Sequence, residues 1–276
     1  MTFSRRSPLA PILLIFGATV LSAGALVRAA EERSGGQPFA VVELFTSEGC
    51  SSCPPAEELL SRIAADARTS GRPIHVVAFH VDYWDRLGWK DPFSAAAYTE
   101  RQHRYGAAFR ATGVYTPQMI VNGREGFNGS DGRKASSEIN QALAHPGRVA
   151  VSLRIGLGKE RGHYGVRYEV SPVPVGAVLN VAVTQDGLVV KVNSGENGGK
   201  TLKHDGVVRG FKTLPLPAEG KNTLDIVPPE GAAGKGQVIL YVQDPKSMEI
   251  LGASAARIRV ETALLGRRAR HLERLP

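Results

Sequence analysis

The sequence predicts an α/β unit followed by a β-rich, sandwich-like unit, and three observations lead there. Apolar Val41, Val42, Leu44 and Phe45 form a short run suited to a buried strand, and Ala56, Leu59, Leu60, Ile63 and Ala67 then recur at helical spacing. Residues 74–81 form a second run of the same buried-strand type, so strand, helix and strand together suggest a parallel βαβ unit. From Arg148 the texture changes to short alternating runs such as Val149, Val151, Leu153 and Ile155, or Leu179, Val181 and Val183, with Gly and Pro between them.

The chain opens with Arg5 and Arg6, carries no charge from Pro8 to Val27, and reaches Val27-Arg28-Ala29, a small-residue pattern suited to cleavage after Ala29. Residues 1–29 are therefore expected to be a secretory signal, which places the protein in the periplasm or outside the cell. The apolar run is about 20 residues, enough to span a bilayer, so an uncleaved signal would act as an N-terminal membrane anchor. Residues 30–38 read as a flexible lead-in, 39–147 as the α/β unit with an insertion at 82–112, 148–262 as the β-rich unit, and 263–276 as a basic tail. The formal net charge is +8. Much of the excess lies in Arg5, Arg6 and Arg28 of the signal and in Arg267, Arg268, Arg270 and Arg274 of the tail. That pattern gives no indication of nucleic acid; the tail is either a solvated end or a contact for an anionic membrane surface.

Both cysteines of the chain fall in Cys50-Ser51-Ser52-Cys53, where the first strand hands over to the helix. A helix N-terminus stabilises a thiolate, the form of cysteine that exchanges with disulfides, so Cys50 is expected to attack and Cys53 to resolve. An exported domain stapled by disulfides would carry distant pairs, whereas this pair closes too small a loop to stabilise much. The pair thus reads as chemical rather than structural.

After Thr69-Ser70-Gly71-Arg72-Pro73 turns the chain into the second strand, both tryptophans appear in the loop 82–93. Asp91-Pro92 reads as an N-cap followed by a helix to about Arg110, with Asp82 and Asp85 solubilising the loop. Thr116-Pro117 then leads into Gln118–Val121, a hairpin turn at Asn122-Gly123, and a last helix over roughly 131–145. This order is similar to the thioredoxin fold, and the resemblance rests on Cys50–Cys53 at the strand–helix junction and on Thr116-Pro117 before the third strand. It implies a cis Pro117 packed against the cysteine pair and a Thr116 whose backbone groups receive an extended substrate. The buried carboxylate that often precedes the first cysteine in that fold is replaced by Leu44; Glu43, one residue earlier, belongs to the other face of the strand.

Four phrases carry a narrower resemblance: residues 43–55, 79–84, 88–93 and 115–118. Together they look like a secreted bacterial family catalogued as domain of unknown function 1223, over about residues 41–260. The family implies a thioredoxin-like domain and export, and it supplies no substrate.

Two functions from different classes follow. The first is an exported thiol-disulfide oxidoreductase acting on cell-envelope protein thiols or disulfides, recharged by an external redox partner. Its catalytic residues would be Cys50, Cys53, Pro117 and Thr116, with Thr116, Tyr115, Trp84 and Trp89 lining the substrate site. It needs no cofactor. The second is a copper-binding or protein-interaction module on the same scaffold, where Cys50, Cys53 and His80 would be the soft-ligand set for cuprous copper. Ser194–Thr201 nearly matches a phosphate-binding loop, but Ser194 stands where the first glycine is required and the context is a β-turn. His204 and Asp205, just after it, read as a solvated loop rather than a functional face.

Overall fold

The computed structural model describes Met1 and residues 36–258 apart from Ala233. The expected signal segment, most of the lead-in and the basic tail lie outside the described residues. Among those described, no helix is long and apolar enough to cross a membrane.

The first half holds β1 (Ala40–Thr46), α1 (Pro54–Ser70), β2 (Ile74–His80), a 3-10 segment at Asp82–Leu87, α2 (Ala96–Ala108), β3 (Gln118–Val121), β4 (Gly126–Asn128) and α3 (Gly132–Leu143). β1 and β2 run parallel, β3 is antiparallel to β1, and β4 is antiparallel to β3. β1 is buried along its whole length. Its Val42 and Leu44 pack with Ala56, Leu60 and Ala64 of α1 and with Ala135, Ile139 and Ala142 of α3. Val41 and Phe45 face the opposite layer, with Val77, Phe79, Tyr98 and Tyr105. A strand covered on both faces needs apolar residues at successive positions, which is why it reads as a continuous run.

Local chemistry terminates these elements as expected. α1 stops at Gly71 with φ 68°, a left-handed C-cap. The hairpin turn has φ 49° at Asn122 and 68° at Gly123, the two positive values a tight primed turn requires. Asp131 caps α3 by accepting from the backbone N–H groups of Arg133 and Lys134. The α2 expectation needs correcting: the helix starts at Ala96 rather than Pro92. Asp91 closes a turn ahead of it, its Oδ1 accepting from the Phe93 N–H while its Oδ2 meets His80 and the Glu48 backbone N–H, and the N-cap of α2 is Ala95.

The second half contributes β5 (Ala150–Leu157), β6 (Tyr164–Ser171), β7 (Val178–Gln185), β8 (Leu188–Lys191), β9 (Thr201–His204), β10 (Val207–Pro215), β11 (Lys221–Ile226), β12 (Gly236–Gln243) and β13 (Ile250–Ile258). It does not form a cleanly separate sandwich. One eight-stranded sheet runs β13-β12-β7-β10-β2-β1-β3-β4, so strands of the β-rich half extend the sheet of the first half. The sandwich-like part is the packing of β11-β6-β5 on this sheet, where Val166, Tyr168 and Val170 meet Leu179, Val181, Val238 and Leu240. Alternation along a strand reports which face is buried and not which strand lies beside it, so the shared sheet left no mark in the apolar pattern.

The two halves are joined at β10 and β2, which pair in parallel with Val207 opposite Ala78. The Ala78 N–H donates to the Gly206 carbonyl at 2.8 Å. Gly206 has φ 66°, and a Cβ there would stand 2.8 Å from Val76 Cγ2. Only glycine fits that approach.

A buried polar cluster spans the same junction. Arg101 of α2 pairs with Glu43 at 2.7 Å, both side chains almost wholly shielded from solvent. Tyr241 donates to Glu43 at 3.0 Å, Tyr105 also donates to Glu43, and Gln243 accepts from Arg101. Four rings, those of Phe79, Tyr105, Phe211 and Tyr241, surround the guanidinium at 5.0–5.6 Å. Burial alone would favour neutral arginine, but Glu43 outweighs it and raises the Arg101 pKa. Removing one partner leaves a buried charge unmatched. Glu43→Leu and Arg101→Leu should each lose about 3–5 kcal/mol in urea unfolding, and the double variant should lose clearly less than their sum. Additive losses would mean the two groups do not interact.

Candidate functional site

The site forms where β1 ends. The chain leaves Thr46, turns so that the Cys50 N–H reaches the Ser47 carbonyl, and turns again so that the Cys53 N–H reaches the Cys50 carbonyl. Cys53, not Cys50, is the N-cap of α1, with Pro54 and Pro55 in the first turn. The two sulfurs form a disulfide. Thr116-Pro117 is a cis peptide, as the resemblance implied. The Thr116 hydroxyl donates to Cys50 Sγ at 3.3 Å and accepts from the Trp84 indole N–H at 2.8 Å. Ser52 Oγ lies 3.3 Å from the same sulfur.

Trp84 and Trp89 both adjoin the site. Trp89 donates its indole N–H to Glu48 Oε2 at 2.7 Å, and Trp84 lies against Gly49, where a Cβ would stand 3.1 Å from that of the tryptophan. Tyr115 is exposed, and its carbonyl accepts from Gln102.

Both cysteines have zero solvent exposure, although Ser51 and Ser52 between them are exposed. The long turn joining β8 to β9, the same stretch that nearly matches a phosphate-binding loop, is hydrogen-bonded to the loop that carries them. Asn197, itself buried, donates from Nδ2 to the Glu48 carbonyl at 2.8 Å and to the Cys50 carbonyl at 2.9 Å. Glu196 accepts from the Ser51 N–H at 3.0 Å, and the Ser51 hydroxyl first, then this N–H, lower its pKa. Ser194 donates to the Gly88 carbonyl at 2.5 Å, fixing the turn to the tryptophan loop as well.

Beneath the pair lies a second buried cluster. His204 is 2 % exposed, which corrects its reading as part of a solvated loop. Its Nε2 is 3.1 Å from Glu48 Oε1 and its Nδ1 is 2.6 Å from Glu57 Oε2. Burial alone would lower its pKa, but Glu48 and Glu57 outweigh burial and raise it to about 10. Glu57, in the first turn of α1, accepts from Thr46 Oγ1 at 2.6 Å. Burial would raise this carboxyl, yet the His204 contact holds it below its ordinary value. His80 sits at the end of β2 with Nδ1 2.7 Å from Asp91 Oδ2. Burial would raise Asp91 too, and the His80 contact keeps it low.

The cuprous set of Cys50, Cys53 and His80 is not assembled. Among the described residues, the group of three histidine, cysteine or acid side chains whose ligand atoms all lie within 4.8 Å of one another is Glu57, His80 and His204. The cysteine sulfurs are bonded to each other instead.

Sequence reading passed over Glu48, Glu57, Asn197 and His204 as site residues. Glu57 did leave a signal, since it shares the inward face of α1 with Leu60 and Ala64. An acid on an apolar stripe calls for a buried partner. Asn197 and His204 left none, because they reach the site through pairing of β10 with β2.

These features define a thioredoxin-like, redox-capable scaffold: a strand–turn–helix junction with a disulfide across two residues and a cis proline beside it. The chain belongs to a family described as protein of unknown function, DUF1223, which matches residues 41–243. It is similar to a crystal structure of an Agrobacterium tumefaciens protein, with 28% identity, TM-score 0.60, and 82% of this chain and 96% of that one covered. It is also similar in fold to HBP35 of Porphyromonas gingivalis, with 16% identity, TM-score 0.55, and 83% and 78% covered. No curated protein matches.

If the turn at 192–200 is the barrier to the disulfide, loosening it should expose the pair. Asn197→Ala removes two hydrogen bonds and should speed reduction of the disulfide by dithiothreitol roughly tenfold, with an unchanged far-ultraviolet spectrum. An unchanged rate would show that the cover lies elsewhere.

Proposed function

We propose that the chain is an exported interaction module on a redox-capable scaffold, in which the Cys50–Cys53 pair is kept closed beneath its covering turn. The observation that carries this is the zero exposure of both cysteines. Disulfide exchange requires a thiolate to reach a sulfur, and Asn197 and Glu196 tie the β8–β9 turn to the backbone on either side of Cys50, so that loop would have to loosen first. The signal-like residues 1–29 support export to the periplasm or beyond, where a lone disulfide persists. Partner contact would fall on the loops at the rim, where Tyr115 and Leu87 are both large and exposed. The basic tail would add contact with an anionic membrane surface.

A second reading has its own observation. The Thr116 hydroxyl donates to Cys50 Sγ and the cis Pro117 follows it, an arrangement suited to stabilising a thiolate and receiving an extended thiol substrate. Under that reading the turn moves aside and Cys50 attacks a substrate disulfide, releasing one substrate thiol. Cys53 then displaces the second thiol to give the Cys50–Cys53 disulfide, which an external dithiol must reduce again.

Reduction of insulin disulfides in the presence of dithiothreitol separates the two. The wild-type chain should accelerate the reaction no more than its Cys50→Ser/Cys53→Ser variant does. Acceleration that depends on Cys50 would overturn the closed-module reading in favour of the oxidoreductase.

A further inference from the structure

His80 and His204 share a feature that neither the disulfide nor its cover uses. Each ring has one nitrogen engaged by a buried carboxyl group: His80 Nδ1 by Asp91 at 2.7 Å, and His204 Nε2 by Glu48 at 3.1 Å. The other nitrogen of His80, Nε2, is fully buried and makes no hydrogen bond. The other nitrogen of His204, Nδ1, is equally buried and lies 2.6 Å from Glu57 Oε2. The rings meet edge to face with centroids 5.2 Å apart. Phe93 packs on both, at 5.4 Å and 5.9 Å.

An orphaned imidazole nitrogen costs free energy in an interior where nearly every polar atom is paired. His80 Nε2 is such an atom, and His80 clusters with His204 and Glu57, so the three call for a shared partner. A ring fixed by a carboxylate on one nitrogen and open on the other is the usual state of a metal-binding histidine, whose outer partner sets its tautomer and basicity. Glu57 has its own outer partner in the Thr46 hydroxyl, which leaves Oε2 facing the two rings. The ligand atoms of all three residues lie within 4.8 Å of one another. The surroundings favour a cation, since Glu48, Glu57 and Asp91 place three carboxyl groups against two imidazoles.

We propose that His80 Nε2, His204 Nδ1 and a Glu57 carboxylate oxygen form a site for one divalent metal ion of the zinc class, with Asp91, Glu48 and Thr46 as outer partners. Two imidazoles and one carboxylate suit zinc, whereas cuprous copper favours the sulfur this trio lacks and calcium or magnesium favour an all-oxygen shell. Tetrahedral ligands at zinc stand about 3.3 Å apart, so Glu57 and His204 would separate by somewhat under 1 Å from their present 2.6 Å. The ligands come from α1, the end of β2 and β9. A metal there would clamp the covering hairpin to the redox helix. The proposal is independent of whether the cysteine pair turns over.

The test uses the full chain stripped of metal by a chelator. Zinc titration should show one equivalent bound and a raised melting temperature. Cobalt should give the visible absorption of a tetrahedral nitrogen–oxygen site. His80→Gln should abolish binding, and Asp91→Asn, which keeps the ligands, should weaken it about 10–100-fold. The Cys50→Ser/Cys53→Ser variant should still bind one equivalent. Folded wild-type protein that takes up neither metal would overturn the proposal and leave the cluster a buried ion network. Binding that needs the cysteines would overturn it too. Should His80→Gln fail to fold, the wild-type cobalt spectrum and Asp91→Asn decide.

Discussion

The backbone contact of Gly206 with β2 is the constraint on which the rest of this structure hangs. Its carbonyl accepts from Ala78 at 2.8 Å and sets Val207 opposite Ala78. His204 ends β9 just before the turn at Asp205-Gly206, where its ring stands 5.2 Å from that of His80, and the β8–β9 turn is hydrogen-bonded to the cysteine loop. A side chain at Gly206 would collide with Val76, so the approach depends on glycine. The same contact covers the edge of β2, which would otherwise present unpaired backbone groups.

Three functions of the fold converge on that junction. The sheet becomes continuous across the halves, which gives Glu43 and Arg101 partners from β12 in Tyr241 and Gln243. The covering turn gains a fixed base, so that one asparagine can hold the backbone on both sides of Gly49. The buried histidines are brought edge to face. Each polar group is tolerable only because another segment supplies its counterpart, so the ion pair, the cover and the histidine cluster stand or fall with the same pairing.

Much of the first half was legible from sequence because its signals are local. Val41–Phe45 is a run only a doubly covered strand tolerates, Asn122-Gly123 can serve little but a tight turn, and Thr116-Pro117 stands where the cis peptide is found. The β-rich half was legible as strands but not as an assembly. β13 was foreseen only at its end, since Gly252-Ala253-Ser254-Ala255-Ala256 is too small and bland to read as a strand. At the site, Thr116 touches Cys50, Trp84 touches Thr116, and Trp89 touches Glu48 beside the disulfide. The residues that close it were hidden because their roles depend on a strand pairing between positions 78 and 207. His204 beside Asp205 reads as solvent-facing until β10 is set against β2; Asp91 before Pro92 reads as the cap of α2, whereas it holds the Phe93 N–H and His80 in a turn that ends before the helix begins at Ala96.

The central claim is that the β8–β9 turn and the cysteine turn open as one unit. Native-state hydrogen exchange of the oxidised chain, followed by mass spectrometry, tests it most directly. The account predicts that peptides covering 47–57 and 192–204 are both protected and exchange with the same opening free energy, below that of β1 and β12. Rapid exchange at 192–204 beside lasting protection at 47–57 would contradict it, for the turn would then be a loose neighbour of the disulfide and not its cover.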